Sequence, residues 1–212
     1  MSEYGYIPES PEQSPFNNKG IFTPNDIYDL VRLDKWTPEL GQLELIETQS
    51  VSGVSTFDFT DLKDYKVHFL TYNDLFNSDT AKGFAIRLYE NDVLETGSVY
   101  LHAHQDCRAD GSFAENRSTG ASQWQFANNT SIGTHARSRA NGFFYFYNLL
   151  ESSKYSFATS HTTGLNNSNT ADFRFGSWVL PQASYVNKIQ FMAYDAGNIT
   201  GTFSLYGIKA YS

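Results

Sequence analysis

His102 and His104 stand two residues apart in "GSVYLHAHQDCRAD", with Asp106 and Cys107 close behind. On an extended chain that spacing sends both imidazoles to one side, where they could share a metal ion with Asp106 or Cys107. A zinc site also needs an identified third ligand and hydrogen-bonded support behind the rings, and the surrounding sequence offers neither. The pair is therefore read as ordinary surface or hydrogen-bonded histidines, and no metal is expected. The same stretch resembles a calcium loop, with Asp106, Asp110 and Gly111 in phase. Arg108 stands where an oxygen ligand is required and Arg117 occupies the twelfth position, so that pattern fails twice. Cys107 is the sole cysteine and is read as a small, half-buried apolar side chain.

No other catalytic spacing is present. The chain lacks a G-x-S-x-G elbow, an H-E-x-x-H helix, a phosphate-binding G-x-x-x-x-G-K-[ST] loop and a dinucleotide G-x-G-x-x-G. The carboxylates Asp58, Asp61 and Asp64 of "FDFTDLKDY" read as a turn between strands, because nothing places a second acid opposite them. A non-enzymatic protein without a cofactor is expected. With 15 Lys+Arg against 23 Asp+Glu the formal charge is -8, and no basic cluster exists to follow a phosphate backbone, which argues against nucleic acid. The opening "MSEYGYIPES" lacks the basic and apolar regions of a signal peptide, and the longest apolar run, "FFYFY", is far too short to cross a bilayer.

The elements that must position these side chains are strands. "QLELIETQ" (42–49), "VSTFDF" (54–59), "YKVHFLTY" (65–72), "GFAIRLYE" (83–90), "GSVYLHAH" (97–104), "NGFFYFYNLL" (141–150), "KYSFATSH" (154–161), "TADFRFGSWVL" (170–180), "NKIQFMAY" (187–194) and "TGTFSLYGI" (200–208) fit an extended template, separated by Asn, Asp, Ser and Gly clusters. Spacing of this kind without intervening helical periods predicts an all-β chain, an antiparallel jelly-roll-like β-sandwich over residues 41–212. The final run "GNITGTFSLYGIKAYS" alternates too regularly for a frayed end and is predicted to be a strand built into a sheet. Phe143 to Tyr147 is aromatic on both faces, which predicts either a strand covered on both sides or a contact surface in an oligomer.

Residues 1–40 differ in kind. Five of the six prolines fall there, so the segment reads as an extended arm. Within it "TPNDIYDLVRLDKW" carries a helix start, with Thr23 as N-cap, Pro24 in the first turn and Asp26 in the capping-box position; one short helix over about 24–34 is predicted. Such a helix is marginal alone and must dock on something. Ile21, Phe22, Ile27, Tyr28, Leu30, Val31 and Trp36 are the candidate docking side chains. At the other functional extreme, the segment 105–140 is rich in Ser, Thr, Asn and Gly and is predicted to be a long loop. Arg108, Trp124 and Asn128 are its candidate ligand contacts, an aromatic face and polar groups suited to a sugar.

Two stretches carry a family resemblance. "LIETQSVSGVSTFDFTDL" with "DYKVHFLTYNDL" at the start of the sheet region, and "VNKIQFMAYDAGNITGTFSLYGIKAYS" at its end, resemble structural proteins of tailed bacteriophages, marine ones especially. In that family an F-x-x-x-x-x-G-N-I-x-G-T-x-x-L-Y-G-I-K-like pattern closes a β-sandwich, matched here by Phe191, Gly197, Asn198, Ile199, Gly201, Thr202, Leu205, Tyr206, Gly207, Ile208 and Lys209. "GIFTPNDIYDLVRLDKW" resembles a segment that precedes various virion proteins of such phages. The resemblance spans roughly residues 43–210. It implies a virion structural protein, a short tail fibre or capsid decoration, assembled in the host bacterial cytoplasm and anchored to other virion proteins by the arm. It also implies symmetric display, with a trimer expected. A lectin-like domain holding a host surface glycan is the alternative, followed by a glycan-degrading enzyme, for which no carboxylate pair can be named.

Overall fold

The computed structural model describes residues 13–14, 17–18, 23–32, 43–79, 82–127, 139–166 and 168–209. By internal contacts the chain divides into Met1–Gln42 with Tyr211–Ser212, and Leu43–Ala210.

In the first unit, β1 (Gln13–Ser14) and β2 (Asn17–Asn18) pair antiparallel. Helix α1 (Pro24–Arg32) follows, and the predicted last two residues, 33 and 34, lie outside the described residues. Its start is the expected capping box: the Asp26 amide donates to Thr23 Oγ1 at 3.3 Å, and the Thr23 amide and hydroxyl both donate to the Asp26 carboxylate, at 2.8 and 2.6 Å. These bonds hold the Asp26 carboxyl below its ordinary value.

The second unit is a two-sheet antiparallel sandwich. Across the larger sheet lie β3 (Leu43–Val54), β15 (Ile199–Ile208), β5 (Val67–Asn77), β11 (Ala140–Tyr147), β12 (Ser156–Leu165), β13 (Ala171–Leu180), β8 (Tyr100–Arg108) and β9 (Phe113–Ala121). The smaller sheet runs β10 (Trp124–Ala127), β6 (Gly83–Glu90), β14 (Val186–Tyr194) and β4 (Thr56–Phe59), with β7 (Val93–Leu94) paired to β6. The final strand is paired on both sides, to β3 and β5, and its alternation sets every second side chain into the core. Between β6 and β7, Asn91 and Asp92 both take positive φ (50° and 69°), as a tight two-residue hairpin turn demands.

Alternation decides what is buried. Phe203 and Leu205 of β15, Leu70 of β5 and Phe144 and Phe146 of β11 join Ile86 and Leu88 of β6 and Ile189 and Phe191 of β14 in one core. The rings interlock edge-on, Phe126 to Phe144 at 4.9 Å and Phe144 to Phe191 at 6.4 Å between centroids. Each such side chain contributes about 1.5–3 kcal/mol by leaving water. Two indoles tie the sheets together by hydrogen bonds as well as area: Trp124 Nε1 donates to the Val179 carbonyl at 3.2 Å, and Trp178 Nε1 to the Gln125 carbonyl at 3.1 Å.

One expectation fails here. The segment 105–140 is not a long loop: β8 continues to Arg108, β9 and β10 follow, and only residues 128–138 lie outside the described part. The strand β9, "FAENRSTGA", is an edge strand whose inward positions Ala114, Asn116 and Ser118 are small and half-buried, so it carries none of the apolar alternation by which a strand is recognised.

Candidate functional site

In β13, "ADFRFGSWVL", the pleat puts Asp172, Arg174, Trp178 and Leu180 inside, and Phe173, Phe175 and Ser177 outside. Its neighbour β12 turns Ser160 and Thr162 inward and Phe157, Thr159 and His161 outward. In β11 the rings of Phe143, Tyr145 and Tyr147 face outward while Phe144 and Phe146 are core. Aromatic side chains thus occupy the outer face of the larger sheet. Phe69 of β5 lies 4.8 Å from Tyr145 and 5.8 Å from Phe143 between ring centroids. Phe143 stacks on His161 at 5.0 Å, His161 meets Phe173 edge-on at 5.5 Å, and Phe173 lies 6.0 Å from Phe175. Phe173 and Phe175 remain 42% and 39% exposed.

Beside these rings the face is hollowed. A groove of about 690 Å³ is floored by Leu101, Ala103, Ser177 and Val179 and edged by Arg117 and Thr119 of β9. A second, of about 570 Å³, shares Ala103, Arg117 and Ser177 with it and adds Gln105, Glu115, Thr159, His161 and Phe175. A third, of about 340 Å³, shares His161 and reaches Phe143, Phe173, Thr71 and Asn73. The three form one trough across six strands, from β9 to β5; at about 4.8 Å per strand it is about 24 Å long. Small floor residues make it: Ala103 and Ser177 sit opposite one another in the β13–β8 ladder.

The inward counterpart of this face is a buried polar cluster. Arg174 forks onto Asp106, through Nε to Oδ1 and through Nη2 to Oδ2 at 2.7 Å, and its Nη1 donates to the Phe126 carbonyl at 3.3 Å. Asp172 adds an ion pair to Arg174 at 3.7 Å, and Arg108 one to Asp106 at 3.6 Å. Burial pushes the Asp172 carboxyl up, against the pull of the Arg174 charge. His102 and His104 share this inner side. Nε2 of His102 donates to Asn116 Oδ1 at 2.9 Å, and the two imidazoles stack at 5.9 Å. Burial, and then the Arg174 charge, hold the His104 imidazole down at about 3, so it is neutral. Solvent reaches less than a tenth of any of Asp106, Asp172, Arg174, His102 or His104, so the cluster is closed to a substrate as folded. Among the described residues no group of three or more His, Cys, Asp and Glu is arranged to hold a metal.

The candidates read from the sequence fall differently. Trp124 is fully buried in the core and its ring cannot meet a ligand; Arg108 is half-buried against Asp106; Asn128 lies outside the described residues. Of the docking set, Tyr28 is 69% exposed, Ile27 half-buried and Leu30 buried, while Val31 lies in α1; Ile21, Phe22 and Trp36 lie outside the described residues. Asp110 caps its own turn by accepting from the Ser112 amide at 2.8 Å, and Asp58 is held by Tyr89 and Gln190 at 2.9 and 3.1 Å. The outer face was missed except at Phe143 to Tyr147. Its signal lay in "DFRF", where rings and charges alternate and the buried arginine claims the inside.

No family model matches the chain, and no curated protein matches it. Among solved structures it is similar to a fructofuranosidase from Schwanniomyces occidentalis complexed with fructosylnystose, at 6% identity and a TM-score of 0.27, over 82% of this chain and 35% of the other. It is also similar to VP2 of infectious bursal disease virus in a subviral particle, at 7% identity and a TM-score of 0.11, over 80% and 36%. The chain spans about a third of the length of either structure, and likenesses this slight carry no argument about its function.

Proposed function

We propose that the chain is a non-enzymatic structural protein of a tailed-phage particle, anchored by its N-terminal segment and displaying the sandwich as a short tail fibre or capsid decoration. The observation that carries this reading is the division of labour between the two units: a capped, nine-residue helix with an exposed Tyr28, and a sandwich with its own aromatic core. A helix of that length gains its stability from packing, which suits a docking element, and a sandwich with its own core suits a displayed one. The phage-like motifs at residues 20–36 and 186–212 supply the class of particle. Symmetric display, as a trimer, belongs to the same proposal.

The test is mass spectrometry and immunolabelling of washed particles. The chain is expected in fixed copy number at the tail or on the capsid, and I27D with L30D is expected to abolish incorporation while leaving the sandwich folded. Recovery of the chain only from host lysate, with none on particles, defeats the reading.

A further inference from the structure

We propose that the trough on the outer face of the eight-stranded sheet binds an uncharged polysaccharide, with Phe175, His161 and Phe143 as stacking platforms. The inference extends the display reading by naming what the displayed face holds, and its chemistry stands on the face itself. Three observations carry it.

The first is charge. From β5 to β13 the side chains that line the trough are Phe, Thr, Ser, Asn and Val with the imidazole of His161, and none of them carries a carboxylate, ammonium or guanidinium; the exposed Asp74 of β5 lies outside this lining and is paired with Arg139 at 3.3 Å. At the β9 end Glu115 and Arg117 neutralise one another at 3.2 Å. A neutral surface on a chain of net charge -8 is matched to a neutral ligand, because an acidic polymer would meet the repulsion of the whole molecule.

The second is the mixture of groups. A pyranose presents an apolar C–H face to the electron-rich face of a ring, and a girdle of hydroxyls to donors and acceptors beside it. Gln105, Thr159 and Ser177 line the trough next to Phe175 and make no side-chain hydrogen bond among the described residues. A second copy of the chain packed on this face would leave those groups to be buried unpaired, at a cost for each.

The third is shape. The trough runs across the strands for about 24 Å and stays open at the surface. That suits a chain of linked rings lying along it rather than a single small molecule enclosed in a pocket.

The experiment is affinity electrophoresis of the full chain through gels containing a neutral β-glucan, mannan or galactan, followed by titration with the polymer that retards it. Retardation by at least one polymer is expected. Phe175→Ala should weaken binding about tenfold, and Ser177→Glu, which sets a carboxylate on the floor, should weaken it further. Both positions are exposed, so thermal midpoints should match wild type and a loss of binding is not a loss of fold. Absence of retardation in all three gels overturns the proposal, as does retardation that neither substitution changes. A dimer in light scattering that Phe175→Ala converts to monomer, without polymer binding, assigns the face to a second copy instead. Detection of the chain on particles is read separately, so a failed glycan screen leaves the virion reading standing and the reverse also holds.

Discussion

The two halves of the sandwich solve the same burial problem in opposite ways. Around β15, β5, β6 and β14 the inward positions are Phe203, Leu205, Leu70, Ile86, Leu88, Ile189 and Phe191, and the outward ones are mixed. Along β12, β13 and β8 the arrangement is inverted: Asp106, Asp172, Arg174, His102 and His104 go inside, and Phe157, Phe173 and Phe175 go outside. The first half follows from hydrophobic burial alone. In the second, a forked Arg174–Asp106 pair and Trp178 replace part of that gain, and aromatic area is left facing solvent. A buried ion pair is weak support for stability compared with apolar packing. An arrangement that gives up apolar burial and exposes rings is the physical ground on which the proposed polysaccharide surface is placed there.

The largest expected effects test the cost of that inversion. Arg174→Met leaves Asp172 buried without its cation and Asp106 with only the longer Arg108 contact, and should destabilise by about 3–5 kcal/mol in chemical unfolding. Combining it with Asp106→Leu should restore much of the loss, whereas the core change Phe191→Ala, costing about 3–5 kcal/mol, has no such partner. A small effect of Arg174→Met would mean that the inner cluster is wetter than its burial implies.

Acid comes next. With its folded value near 3 against an ordinary value of 6.5, His104 binds its proton more readily in the unfolded chain. Stability from this group is complete above pH 6.5 and is lost as the pH falls through the window down to about 3, amounting to about 3 kcal/mol by pH 4.5. Burial lowers His68 and His102 in the same direction, while Asp172, raised by burial, acts oppositely as the pH rises above 3.8. Urea midpoints taken across that window should fall with acid, and His104→Leu should flatten the slope; an unchanged slope assigns acid sensitivity to other groups.

Smaller still is Gly176→Ala. A methyl at this position would come within 2.4 Å of the His104 Cβ, so the β13–β8 ladder must shift, at a cost of about 1–3 kcal/mol. The smallest effect is Phe175→Ala, which removes an exposed ring and should change stability by less than about 0.5 kcal/mol by the same unfolding assay. A large loss there would mean that the outer rings are a second core.

Local signals were the legible ones. Thr23, Pro24 and Asp26 specify a helix start through bonds made within four residues, and the alternation of "TFSLYGI" announced a strand built into a sheet. The class of fold followed from the regular spacing of such runs. Long-range choices were hidden. In "ADFRFGSWVL" the period of two divides the side chains into faces without saying which is inside; that depends on Asp106, 68 positions from Arg174. Trp124 looked available as a sugar platform because its surroundings are polar in sequence, yet its indole is claimed by the Val179 carbonyl of the opposite sheet. β9 escaped notice because an edge strand needs no apolar face.

Hydroxyl-radical footprinting of the full chain, read residue by residue by mass spectrometry, tests the inverted arrangement most directly. Indoles are intrinsically more reactive than phenyl rings, so burial must reverse that order for it to be seen. The account predicts rapid oxidation of Phe157, Phe173 and Phe175, with Trp124 and Trp178 protected. Oxidation of Trp124 and Trp178 as fast as of those phenylalanines would contradict it.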